Sequence, residues 1–276
     1  MGCPVTNGIR QLVKAKEKES GHDDGMKLAV ITDLHANRQA LEAVLAHARA
    51  RGAERFALLG DFVGYGADPA WVLDTVAELR NGGAVAVLGN HDEAVIKGDR
   101  PGMNDDARAV LNWTRSKLNP AQMQTLASLP LTEQHGDCLF VHANAYDPAG
   151  WDYIAGRAQA TRSLQVTRER YTFCGHMHEP MLYNLSGTGK AGDFSPVPGV
   201  DIPLPSHRQW LVIPGACGQP RDGNPAAGYA LFDEASATLS FERVAYDVEA
   251  AAAKIRASGL PEPVAARMAE RLGLGR

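Results

Sequence analysis

The chain has 276 residues, of which 45% are hydrophobic and 22% charged, enough for one large folded domain or two smaller ones. Its formal net charge of −4 gives no basic footprint, which argues against binding extended nucleic acid through bulk electrostatics. No run of about 18 apolar residues exists to span a membrane, so a soluble, cytoplasmic protein acting on small molecules is expected.

In chain order, residues 1–25 read as a polar N-terminal extension without the apolar core of a secretory signal. They begin Met-Gly-Cys-Pro-Val-Thr, a short match to a myristoylation pattern with Cys3 as a second acylation candidate; a solvated leader is the simpler reading. KLAVIT (27–32), RFALLG (55–60) and AVAVLG (84–89) read as buried strands, and residues 36–52 and 69–83 between them as helices. This β-α-β-α-β order predicts a parallel or mostly parallel sheet covered by helices.

Residues 104–120 open on capping-type side chains and end at Pro120, which predicts one helix. Short strands at 138–143, 171–176, 181–186, 210–215 and 229–246 come next, with a helix over 157–170, and their spacing predicts an antiparallel second half. Residues 191–208, rich in Pro and Gly, read as an exposed loop or lid, and 251–276 as a helical tail. The domain proper is therefore expected over 26–250. SGTGK (186–190) lacks the spacing of a nucleotide-binding loop and reads as a hairpin turn. The four cysteines, Cys3, Cys138, Cys174 and Cys217, lie far apart and read as free thiols in a reducing compartment.

The residues just after each strand carry the chemistry, because ligands of open α/β sheets bind where the carboxyl ends of strands converge. KLAVIT is followed by Asp33 and His35, RFALLG by Asp61, AVAVLG by Asn90, His91 and Asp92, CLFV by His142, and YTFCG by His176 and His178. His22, His47, His135 and His207 fall in the leader, a helix face, a turn and the loop, and read as ordinary polar residues. Two Asp, one Asn and four strand-end His supply oxygen and imidazole donors without thiolates, a set suited to Mn, Fe, Co, Ni or Zn. Seven such ligands exceed what one ion takes, so two divalent ions sharing a carboxylate, with a bridging water or hydroxide, is the economical solution. Asp61, in the middle of the ligand order, is the candidate bridge.

These residues resemble the calcineurin-like metallophosphoesterase superfamily, whose pattern stands here as Asp33-Leu-His35, Gly60-Asp61, Gly89-Asn90-His91-Asp92, His142 and Gly175-His176-Met-His178. The resemblance covers roughly residues 27–180. It implies a four-layer α-β-β-α sandwich of two mixed sheets. It also implies that Asp33, His35 and His178 hold one metal, Asn90, His142 and His176 the other, and that Asp61 bridges them. His91 would protonate the leaving group or stabilise the transition state; Asp92 would either orient the His91 ring or cap the strand end.

The implied activity is hydrolysis of phosphomonoesters or phosphodiesters by attack of a metal-bridging hydroxide. Alternatives are a nucleotide or dinucleoside polyphosphate hydrolase, a protein phosphatase, or a non-catalytic metal-binding scaffold. Relatives of the polyphosphate hydrolase and protein phosphatase kinds resemble one another in an arginine soon after Gly-Asp, where this chain has Gly64-Tyr65-Gly66. A second block, PGACGQPRDGNP (214–225), resembles a segment of small prokaryotic members and makes Arg221 a candidate anion contact or a surface turn residue. The expected partner is a small phosphoester, and self-association is compatible with the sequence.

Overall fold

The computed structural model describes residues 26–99 and 103–276. The leader, its acylation pattern, Cys3 and His22 lie outside the described residues.

The first three strands, β1 (Lys27–Ile31), β2 (Ala53–Leu58) and β3 (Val85–Ala86), run parallel, as their helical connections require. The first connection is α1 (Arg38–Ala50), which begins at Asn37 because that side chain accepts the Ala40 N–H at 3.1 Å. It buries Leu41, Val44 and Leu45 on the outer face of the sheet. The second connection is α2 (Pro69–Asn81), with Pro at its first turn. After Lys27, β1 is apolar because both its faces are covered: Ala29 and Ile31 face the helices, Leu28 and Val30 the second sheet.

Three short helices come next: α3 (Asn90–Lys97), α4 (Asp105–Lys117) and α5 (Pro120–Ala127). The helix expected over 104–120 is α4, which opens on the Asn104 cap and stops at Lys117. Pro120 then opens α5, a further helix outside that expectation, with Asn119 and Gln122 satisfying each other's backbone N–H groups around it.

The second sheet takes β4 (Thr132–His135), β5 (Cys138–Val141), β6 (Tyr171–Phe173), β7 (Pro180–Ser186), β8 (Ala191–Phe194) and β10 (Arg208–Pro214) in the order β4-β5-β6-β10-β7-β8. It is not the antiparallel unit expected: β5, β6 and β10 are parallel. The helix α6 (Arg157–Gln165) supplies the crossover and covers the outer face through Ala160 and Leu164 against Leu211 and Ile213. The 229–246 segment is a hairpin, β11 (Ala227–Asp233) and β12 (Thr238–Val244), that returns to the first sheet beside β1. SGTGK forms the turn between β7 and β8, as expected of a hairpin.

The 191–208 segment is mostly exposed, as expected, but it carries two short edge strands. β8 edges the second sheet and β9 (Ile202–Pro203) edges the first, so this stretch ties the two sheets along one side. The result is a four-layer α-β-β-α sandwich of two mixed six-stranded sheets. Its central layer packs Val30, Ala57 and Phe232 against Phe140, Phe173 and Val212. Two last helices, α7 (Val248–Arg256) and α8 (Glu262–Leu274), pack on each other and on Val110 of α4. Among the described residues no helix is long and apolar enough to cross a membrane.

Candidate metal centre

Parallel strands from both sheets end at one edge, and the loops after them are stitched by backbone hydrogen bonds. The Asp33, His35 and Ala36 N–H groups donate to the carbonyls of Gly60, Asp61 and Phe62 at 3.2, 2.8 and 2.9 Å. Gly218 N–H donates to the Asp33 carbonyl, and Gly175 N–H to that of His142, each at 2.8 Å.

Along this edge the backbone turns sharply. Asp33, His35, Asp61, His176 and His178 all have φ between 45° and 68°, the left-handed region that residues other than glycine avoid. Such strain persists only where surroundings enforce it, and it concentrates at functional sites. Enforcement here includes Gly89, where a Cβ would lie 2.1 Å from the Asp61 nitrogen and 2.3 Å from its Oδ1.

All seven expected ligands converge. Asp33, His35, Asp61 and His178 each place one ligand atom within 4.8 Å of the others, and so do Asp61, His142 and His176. Asp61 belongs to both groups. Asn90 joins the second, its Oδ1 3.1 Å from His142 Nε2.

Each histidine is oriented by a main-chain carbonyl. The Nδ1–H groups of His35, His142 and His178 donate to the carbonyls of Val63, Leu59 and Gln219 at 3.1, 2.6 and 2.6 Å. For His176 it is Nε2–H that donates, to Trp151 at 3.0 Å. A carbonyl only accepts, so each neutral ring turns a bare nitrogen lone pair into the site.

Two of those nitrogens, Nε2 of His35 and of His178, stand 3.2 Å apart, two acceptors facing each other whenever both rings are neutral. Asp33 Oδ1 is buried beside them with no hydrogen-bond partner, while its Oδ2 accepts from Thr32 Oγ1 and the His176 N–H. An arrangement of buried acceptors facing each other costs free energy unless a cation sits among them, so the donor set fits divalent metal.

Electrostatics agree. Burial works to raise the Asp33 and Asp61 carboxyls, yet His178 beside the first and His142 beside the second hold both well below the ordinary range. Burial lowers His35 well below its usual value and takes His176 down to about 4. Burial would lower His142 too, but the Asp61 carboxylate outweighs it and pushes the ring up to about 9. Positive charge is thus favoured between Asp61 and His142.

Residues 26–237 match the calcineurin-like phosphoesterase superfamily domain. The chain belongs to the calcineurin-like phosphoesterase superfamily. It is 33% identical over 254 residues to an uncharacterized protein of Methanocaldococcus jannaschii, the match spanning 90% of this chain and 98% of that one. It is similar to a metallophosphoesterase from Sphaerobacter thermophilus, at 33% identity and TM-score 0.79, covering 92% of this chain and 100% of that. A hypothetical protein from Pyrococcus horikoshii shares the fold at 20% identity and TM-score 0.68, over 88% of this chain and 97% of that one. Family and ligand cluster together support a metal-dependent phosphoesterase.

In this calcineurin-like chain His91 stands at the rim, half-buried, its ring edge-on to His35 at 5.0 Å. Its backbone N–H donates to Asp61 Oδ1 at 2.9 Å, and burial lowers its pKa. Asp92 does not orient it. Both Asp92 oxygens are taken by backbone: Oδ1 accepts from Phe62 and Val63, Oδ2 from Gly89, so this acid caps α3 and pins the loop after β2. Tyr65, in the Gly64-Tyr65-Gly66 stretch after Asp61, packs its ring 4.5 Å from His35 and 4.7 Å from His91. Arg221 lies over that ring at 6.0 Å, and its backbone N–H donates to the His178 carbonyl. The remaining described histidines stay outside: His47 bonds the Tyr229 hydroxyl and His135 pairs with Glu133 at the end of β4.

Sequence reasoning missed Trp151. Its carbonyl holds His176 while its indole N–H donates to Glu93 Oε2 at 3.1 Å. A left-handed, non-glycine residue at the end of a turn leaves no motif in the sequence.

Proposed function

We propose that the chain is a dinuclear phosphoesterase, hydrolysing small phosphomonoesters or phosphodiesters with two divalent ions drawn from Mn, Fe, Co, Ni and Zn. The observation that carries it is two buried ligand groups sharing one carboxylate, Asp61. Asp33, His35 and His178 would hold one ion, Asn90, His142 and His176 the other, with Asp61 between them. Bound there, two divalent cations lower the pKa of water to supply hydroxide near neutral pH and offset charge on the phosphoryl oxygens.

The chain's own residues do the rest. The carbonyl-locked histidines keep their donor atoms fixed before substrate arrives, which reduces reorganisation during the reaction. His91 would donate a proton to the departing oxygen. Arg221 is half-buried, and one guanidinium nitrogen donates to Gln219 Oε1 at 3.2 Å; its remaining N–H groups would contact the phosphoryl group. Residues 26–250 would form the catalytic domain, with 251–276 as its helical tail.

The test pairs turnover with metal analysis. With Mn, Co, Ni or Zn, p-nitrophenyl phosphate or bis-p-nitrophenyl phosphate should be hydrolysed, and chelation should abolish turnover. Asp61→Asn should lose both ions together. Retention of two ions by that variant, or no turnover of either ester with any of these metals, would sink the proposal.

A further inference from the structure

A second space opens beside His91. A cavity of about 340 Å³ lies between α3 and α4, with Asn90, His91 and Tyr65 at one end. Elsewhere its walls include the apolar Ala94 and Val95 from α3 and Ala107, Val110 and Leu111 from α4, with two polar residues, Asn104 and Thr114. The Asn104 Oδ1 already accepts the Ala107 N–H. Thr114 differs. It lines the cavity and is 1% exposed, yet its Oγ1 has no hydrogen-bond partner. A helical threonine ordinarily turns its hydroxyl back to the carbonyl four residues earlier, and a buried hydroxyl left unpaired costs stability.

We propose that this cavity receives the leaving alcohol of the substrate, a compact, largely apolar group of aromatic size carrying one polar substituent for Thr114. The inference rests on the phosphoesterase reading and narrows its substrate class. His91 and Asn90 line both the metal centre and the cavity, so an ester oxygen held at the proton donor leaves its organic portion pointing between α3 and α4. The volume falls at the lower end of small-ligand pockets and suits a substituted ring better than a long chain. The aliphatic side chains of α3 and α4 favour a largely apolar occupant, because its transfer from water is favourable.

In a monoester the bond between phosphorus and the alcohol oxygen breaks with its electron pair on that oxygen, which takes the proton of His91. Water supplies the hydroxyl that forms the new bond to phosphorus, and its remaining proton restores the histidine. Alcohol and inorganic phosphate result.

The test separates binding from turnover, using 4-nitrophenol and phenol as probes on the metal-loaded full chain. Wild type should bind both, 4-nitrophenol two- to ten-fold more tightly. Thr114→Val should abolish that preference without weakening phenol, whereas a merely structural role would weaken both alike. Ala107→Phe, which fills the cavity, should weaken both phenols at least ten-fold and lower kcat/KM for p-nitrophenyl phosphate relative to acetyl phosphate by a similar factor. No phenol binding by wild type, or equal binding by Ala107→Phe, would overturn the assignment. If neither phosphate is turned over, the phosphoesterase reading fails, and phenol binding still decides the cavity.

Discussion

Gly89→Ala tests how far the centre depends on close backbone approach. Gly89 has φ −101° and ψ 169°, extended values that alanine adopts freely, so the substitution adds no backbone strain. It adds a methyl carbon 2.1 Å from the Asp61 nitrogen and 2.3 Å from Asp61 Oδ1, where ordinary contact begins at 3.4 Å. More than 1 Å must be recovered, and one of the struck atoms is backbone, which cannot swing aside. Overpacking of this kind costs about 1–3 kcal/mol, and a rigid neighbour puts the site at the upper end, about 3 kcal/mol. For a chain of this size that lowers Tm by roughly 6–12 °C. Asp61 also bonds the His91 N–H, so its displacement should remove both metals at once and take activity with them. Calorimetry and metal analysis, with Gly187→Ala as a control having no atom within 4 Å, measure both effects. A Gly89→Ala protein carrying both ions and melting within about 2 °C of wild type would refute the reasoning.

Asp92→Asn keeps shape but gives one edge of the side chain N–H donors where it now accepts from Gly89 or from Phe62 and Val63. Denaturant unfolding should show a loss of about 1–3 kcal/mol, and a change near zero would argue against the clamp. Arg221→Ala should raise KM for p-nitrophenyl phosphate about ten-fold with a smaller change in kcat, as expected of a charged contact worth about 1.5 kcal/mol; equal KM values would remove Arg221 from the site. Burial pushes the Cys138 thiol up to about 12 and raises those of Cys174 and Cys217, so a Cys3→Ser protein should not react with a thiol reagent at pH 8 until unfolded. Rapid labelling of the native chain would contradict that burial.

The strand-end polar residues were legible because each breaks an apolar run, and all seven candidate ligands meet where those runs end. The groups that aim them were not. Carbonyls of Leu59, Val63, Trp151 and Gln219 orient the four histidines, and a main-chain acceptor leaves no trace in residue type. Asp92 was ambiguous for a related reason: an acid beside a histidine reads equally as its partner or as a helix cap, and only the three N–H groups around it decide. α3 escaped periodicity because eight residues make barely two turns. The α4 helix was legible from its Asn104 cap and the proline beyond its end, but α5 was not, because its start depends on the Asn119–Gln122 capping pair around that same proline. The parallel pairing of β5, β6 and β10 depends on strand order, which local pattern does not encode.

The five left-handed candidate ligands, if they hold metal as proposed, constrain any attempt to harden this protein. At each of them glycine would relax the main chain, and glycine is the one residue with no side chain to offer a metal. Selection for stability alone would therefore drift these positions toward glycine and dismantle the centre. Stabilising substitutions that preserve it must be sought elsewhere in the sandwich, while its own rim stays under tension for as long as it works.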